Sequence, residues 1–262
     1  MDYNKKITTW SHRTDVQLYR KPIQTGLPSP NRGKTRTPYD EMDLKDQIAS
    51  DIRRKAYFEK RIRYLADAAM ENNLTTFVTL TFREPVDVYE VAQHQWDLFL
   101  KRLKYRLNKP LLYIAVHEIQ KKRSRGRKHG IFHFHALMDL DFLPQAELQE
   151  IWGLGIVHIR KISEKNTESE IRQIMYAFKY IVKDVFEDSK LGTRARYRKI
   201  YVSRGLKKPH IEKSLSMDTA EDVIFDNLEE VLNATEYAVK NYRGEIINHV
   251  ESIQLKNTNN KK

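Results

Sequence analysis

The chain has 262 residues, in which 47 Lys and Arg outweigh 35 Asp and Glu for a formal charge of +12. That length suits one well-cored domain with appendages or two small domains, and the charge favours a polyanionic partner, because each neutralised phosphate releases condensed counterions. The absence of cysteine excludes disulfides, thiolate metal sites and cysteine nucleophiles. No apolar run approaches the ~20 residues of a membrane helix, and the opening MDYNKKITTW lacks a secretory apolar stretch, so a soluble intracellular protein with no membrane partner is expected.

Residues 1–41, with prolines at 22, 28, 30 and 38 and scattered cations, read as a flexible basic arm. Within it Gly33–Thr35 (GKT) resembles the end of a phosphate loop. The first glycine is replaced by Pro28 and no strand is expected before it, so no nucleotide cofactor is expected. A helix follows over 42–72, its interrupted apolar face made by Ile48, Ile52, Tyr57, Ile62 and Leu65. The run 74–82 (LTTFVTLTF) is rich in Thr, Val and Phe and reads as a buried strand. Residues 86–107 place Val91, Trp96, Phe99, Leu100 and Leu103 at helical spacing, ended by Asn108 and Pro110.

Two strands come next, 111–120 (LLYIAVHEIQ) and 131–140 (IFHFHALMDL), separated by KKRSRGRKH with six Lys or Arg in nine positions. A short helix over 145–152 leads to a strand over 155–162, and Thr167 with Glu170 forms a capping box that opens a helix to about 186. The stretch 194–208 (RARYRKIYVSRGLKK) has seven cations and no acid. Residues 212–236 turn acidic, and 237–255 suggests a hairpin about Gly244. The β-α-β-β-α-β-α order over roughly 73–190 predicts an α+β fold with a central antiparallel sheet flanked by helices, in the manner of split βαβ folds. The expected organisation is an arm (1–41), a helix (42–72), a catalytic domain with its basic segment (73–210) and an acidic extension (211–262).

Alternation along 131–140 sends His133 and His135 to one face, Cβ atoms ~7 Å apart, close enough to chelate one ion. A bare His-x-His is equally a pair of histidines on a solvated sheet face. Glu118 on the preceding strand comes across from the pair if the two strands form a hairpin, whereas His117 faces away. Two imidazoles and a carboxylate leave positions open for phosphate oxygens and water. That set suits Mn²⁺ or Mg²⁺ and would also take Zn²⁺ or Co²⁺. On the helix after residue 167, Tyr176, Tyr180 and Lys183 share a face with Lys179 between them. Two tyrosines so spaced are otherwise an amphipathic rim. A phenol, ordinarily of pKa near 10, is helped as a nucleophile by a neighbouring ammonium and an electrophilic phosphate.

Together these segments resemble the HUH superfamily of single-strand endonucleases, specifically rolling-circle replication initiators of phages and plasmids. FVTLTF (77–82) resembles the first motif, HFH (133–135) the His-hydrophobic-His motif, and YAFKYIVK (176–183) the tyrosine motif Y-x-x-x-Y-x-x-K; Glu118 stands where related initiators place a third metal ligand. GLGIVHIRK (153–161) and YVSRGLKKP (201–209) also resemble core segments, and the likeness spans roughly 74–210. The resemblance implies an RRM-like sheet whose tyrosine helix packs beside the metal strands, a 5′-phosphotyrosine intermediate, and a free 3′-OH that primes a polymerase. It also implies single-stranded and origin DNA, a host helicase and polymerase as partners, and a bacterial cytoplasm as the setting. Tyr180 is expected as the principal nucleophile and Tyr176 as the second, although Tyr176 with Lys179 also fits the register. Lys121, Lys122, Arg123, Arg125, Arg127 and Lys128, Lys179, and Arg194, Arg196, Arg198, Arg204 and Lys207 are expected to hold DNA backbone, with Tyr197 and Tyr201 as base-stacking partners. A transposase or relaxase would share this chemistry; a non-catalytic origin-binding protein or repressor would not.

Overall fold

The computed structural model describes residues 2–26, 37–120, 131–141, 143–162, 172–176, 178, 200–241 and 244–257. In chain order the strands are β1 (Tyr3–Thr9), β2 (Arg13–Ile23), β3 (Thr76–Phe82), β4 (Tyr113–Gln120), β5 (Ile131–Met138), β6 (Gly155–Lys161), β7 (Ile200–Val202), β8 (His210–Ser214), β9 (Val231–Lys240) and β10 (Ile246–Lys256). The helices are α1 (Leu44–Glu71), α2 (Tyr89–Leu107), α3 (Gln145–Trp152) and α4 (Ala220–Asp226), and residues 172–176 form a further helical segment. The chain divides into two units, Thr37–Lys207 and a second that joins Met1–Arg36 to Lys208–Lys262.

The central unit carries a five-stranded antiparallel sheet of order β6-β3-β5-β4-β7, an α+β arrangement. Because β5 is antiparallel to both neighbours, β3 and β4 run parallel to each other with β5 between them, and α2 connects them as a split βαβ crossover. Period-2 alternation separates the sheet's faces. Val78, Leu80, Phe82, Phe132, Phe134 and Ala136 pack with Trp96, Phe99 and Leu103 of α2 and Leu148 and Trp152 of α3. Burying each large apolar side chain in such a core contributes roughly 1.5–3 kcal/mol. Asn108 ends α2 in the left-handed conformation (φ 49°), and Gly153 does the same for α3 (φ 70°), where glycine lacks the Cβ that penalises it.

Two apolar stripes are narrower than their spacing suggested. Ile48, Ile52 and Tyr57 are exposed, so α1 buries only its C-terminal half, through Ile62, Leu65, Ala66 and Ala69. On α2, Val91 is exposed and Ala92 occupies the core-facing position instead. Asp43 caps α1 by accepting the Asp46 N–H (2.7 Å). At the other end Asn72 donates to the Lys207 carbonyl and accepts the Lys207 N–H, fastening the helix end to the segment after β7.

The second unit departs from the expected arm and tail. Residues 3–23 are two strands, and with β8, β9 and β10 they form an antiparallel sheet of order β8-β1-β2-β10-β9. Val16 and Leu18 of β2 meet Ile253 and Leu255 of β10 and Val223 of α4 in a small core. The expected hairpin turns at Gly244 (φ 85°), between strands that begin at Val231 and end at Lys256. The GKT stretch and the Thr167–Glu170 capping box lie outside the described residues.

Candidate active site

The second face of the central sheet carries polar groups on its inner strands. β3, β5 and β4 set Thr81 opposite His133 and Glu118 opposite His133, with Thr79 and Val116 flanking His135. The same alternation puts Phe134 and His117 on the α2 face. There the His117 ring lies against Tyr89 (5.7 Å), Phe132 (5.4 Å) and Tyr201 (6.2 Å), away from the histidine pair.

His133, His135 and Glu118 are 4, 7 and 8% exposed, so their polar atoms need protein partners. The Thr81 hydroxyl lies 3.1 Å from His133 Nδ1, and the Thr79 hydroxyl 3.1 Å from His135 Nδ1. His135 Nε2 lies 3.0 Å from Glu118 Oε2. Each ring is therefore held by its Nδ1, which leaves Nε2 as the nitrogen directed to chemistry. Phe77 stacks on His135 with planes 2° apart at 5.8 Å, and the Arg160 guanidinium sits 5.8 Å above Phe77. His158, paired with Thr79 across β6, and Arg160 are exposed, so the histidine pair borders an open, cationic strand edge.

Two imidazole nitrogens and a carboxylate oxygen are a suitable donor set for a hard or borderline divalent cation. Here the carboxylate contacts His135 directly, and among the described residues no three His, Asp or Glu side chains stand at the spacing of ligands to one ion. Binding by this trio requires the Glu118 side chain to swing off His135.

The helical segment at 172–176 presents Tyr176 to solvent (58% exposed) while Ile174 and Phe178 are buried, so the segment has one apolar face and carries the tyrosine on another. Tyr180, Lys183 and Lys179 lie outside the described residues, as do Lys121, Lys122, Arg123, Arg125, Arg127 and Lys128 and Arg194, Arg196 and Arg198. Arg204 and Lys207 are exposed after β7. Tyr201 is not a stacking partner for bases: it is 3% exposed in the α2-side core and its hydroxyl donates to Tyr89 Oη (3.2 Å).

The family model for the replication-associated protein ORF2 matches residues 75–185. This segment belongs to a family of rolling-circle replication initiators. The initiator segment takes in β3 through β6, hence Glu118, both histidines and both threonines, and continues through the two tyrosines. It leaves out β7 and the whole of the second unit. No curated protein and no solved structure matches the chain.

Sequence reasoning singled out FVTLTF as a strand without assigning roles to its threonines, and it gave none to Phe77, His158 or Arg160. The signal for the threonines was present: Thr79 and Thr81 stand two apart, as His133 and His135 do, and two period-2 pairs on neighbouring strands meet ring to hydroxyl. Phe77 and Arg160 carried no comparable mark, because their stacking depends on the β3–β6 register.

Proposed function

We propose that this replication initiator nicks and rejoins one strand of DNA at its origin by tyrosine transesterification assisted by a divalent metal. The observation that carries the reading is the buried Glu118–His135 pair beside His133, with both rings fixed through Nδ1 by threonine hydroxyls. Burying two imidazoles and a carboxylate costs desolvation that an apolar trio would avoid, so stability does not explain them.

In this reading His133, His135 and Glu118 would hold Mn²⁺ or Mg²⁺. When bound, such an ion neutralises charge on the scissile phosphate. Thr79 and Thr81 orient the rings. Tyr180 is the principal nucleophile, and Lys183 one turn on favours its phenolate. The phenolic oxygen forms a bond to phosphorus, the bond from phosphorus to the 3′ oxygen breaks, and the proton lost by the phenol is balanced by the one gained at the 3′-OH. The ester keeps the energy of the broken bond, so rejoining requires no nucleotide. Tyr176 serves as the second nucleophile after a round of synthesis. The exposed Arg160, Arg204 and Lys207 hold the strand's phosphates.

The test incubates the chain with supercoiled DNA of the replicon that encodes it, plus Mn²⁺, and resolves the products on denaturing gels. The expected products are an open circle and a protein–DNA adduct at a 5′ end, both abolished by EDTA while DNA binding persists. A mobility shift with neither nick nor adduct would establish a non-catalytic binder instead.

A further inference from the structure

The sheet of the second unit has two dissimilar faces. Its register puts Ile7, Val16, Leu18, Ile253 and Leu255 on the side covered by α4. The same side collects acids. Glu212 is opposite Ile7 and Glu251 opposite Leu18, Glu236 is opposite Glu251, and Asp218 pairs with Lys5.

The other face is aromatic, amidic and basic. Tyr19, Val250 and Tyr237 make one cross-strand row, and Val250 is fully buried between the two rings. Gln17 ties the phenols together: the Tyr19 hydroxyl donates to Gln17 Oε1 (3.3 Å), and Gln17 Nε2 donates to Tyr237 Oη (3.1 Å). Tyr3 meets Tyr19 edge-on at 5.7 Å, and Lys213 Nζ lies 4.7 Å from the centre of the Tyr3 ring. Lys6 is directly opposite Lys213, and Arg13 directly opposite Lys256, so the register sets two like-charged pairs side by side. Such pairs cost stability in a sheet. Asp15, bonded to Arg13 (3.2 Å), is the acid on this face among these strands. Tyr237 is 44% exposed and Lys213 is exposed.

We infer that this tyrosine face binds single-stranded DNA, as a site separate from the nicking centre. Flat rings held by hydrogen bonds offer stacking surfaces to unpaired bases of any sequence, while ammonium groups along one edge meet the phosphates. A duplex hides its base faces and gains only the charge contacts. The segregation of acids to the opposite face keeps the local field positive where the rings are. The site requires no nicking activity, so it stands or falls apart from the chemistry proposed above.

The test has two arms, both on the full chain. Single-stranded DNA carrying 5-iododeoxyuridine is photocrosslinked to the protein and the crosslinked peptides are identified by mass spectrometry. Crosslinks at Tyr3, Tyr19 or Tyr237 are expected, and crosslinks confined to residues 37–207 would overturn the inference. In the second arm, fluorescence anisotropy measures affinity for an oligothymidylate and for a duplex. The Tyr3→Ala/Tyr237→Ala variant should lose about tenfold or more for the single strand, with little change for the duplex, and Tyr3→Phe/Tyr237→Phe should restore it. Lys6→Gln/Lys213→Gln should flatten the salt dependence by roughly one unit of log–log slope. Unchanged affinity and slope in folded variants would likewise refute the site.

Discussion

Replacing Thr79 and Thr81 by valine tests the site's geometry without touching a candidate ligand. Valine matches threonine in shape, so the perturbation is the loss of a hydroxyl 3.1 Å from His135 Nδ1 or 3.1 Å from His133 Nδ1. If Nε2 must keep its lone pair for an ion, Nδ1 carries the proton and the threonine oxygen accepts it. Valine removes that acceptor, frees the ring to rotate or change tautomer, and leaves a buried N–H unsatisfied. The stability cost is about 1 kcal/mol per site, small against a domain's total. The functional cost is larger, because loss of such an orienting partner weakens metal affinity or activity by roughly 10–100-fold. The assay is nicking rate against Mn²⁺ concentration. Each Thr→Val variant should shift the curve to higher Mn²⁺ by about that factor and recover much of its rate at saturation, and Thr→Ser should stay near the parent. Curves that superimpose on the parent's, from folded protein, would refute the claim that the hydroxyls prepare the rings for an ion.

Gly155→Ala should lower the melting temperature markedly, because an added Cβ would collide with the Thr81 carbonyl and come 2.6 Å from the Arg83 nitrogen, both backbone atoms; overpacking of this kind costs about 1–3 kcal/mol, and thermal denaturation checks it. Tyr176→Phe and Tyr180→Phe separate the two nucleophiles: Tyr180→Phe should prevent the first covalent adduct, and an adduct that survives there but is lost in Tyr176→Phe would reverse the assignment. Burial, together with the neighbouring Tyr3 and Tyr237, pushes the Tyr19 phenol up to about 12 from its usual 10. The folded state thus holds this proton where the unfolded chain has released it, and the associated stability, fully present below pH 10, is lost as pH rises through 12. A phenolate absorbance titration should show a late-titrating tyrosine that Tyr19→Phe removes.

The central unit was legible because its signals are local. LTTFVTLTF and IFHFHALM carry β-branched and aromatic residues at strand spacing, and Trp96, Phe99 and Leu103 mark one helical stripe, so the elements and the split βαβ order follow from short windows. The approach of Glu118 to the histidines needed only a hairpin. The second unit was not legible, because its sheet joins residues far apart in the chain: Val16 pairs with Ile253 and Lys5 with Ser214. Alternation of Val16 and Leu18 was a signal for β2, but Pro22 and the surrounding cations gave that region the look of an arm. Tyr201 was misread for a related reason, since cations on both sides suggested a nucleic-acid strip while pairing with β4 turned the ring inward against Trp96 and Phe134.

The contrast between the two faces of the central sheet argues where chemistry belongs. Toward α2 and α3, every inner-strand position from Leu80 to Met138 is met by apolar packing, apart from His117. Toward the opposite side the same strands hold two threonines, two imidazoles and a carboxylate, four of the five less than a tenth exposed. Replacing such a cluster by valine and leucine would be neutral or stabilising, whereas removing one partner alone strands a buried polar group at a cost of about 1–3 kcal/mol. A cluster that is costly to disturb and unnecessary for folding is retained for what it does. Its position on the strands flanking β5, next to the open β6 edge with Arg160, gives an extended polyanionic strand a path to it.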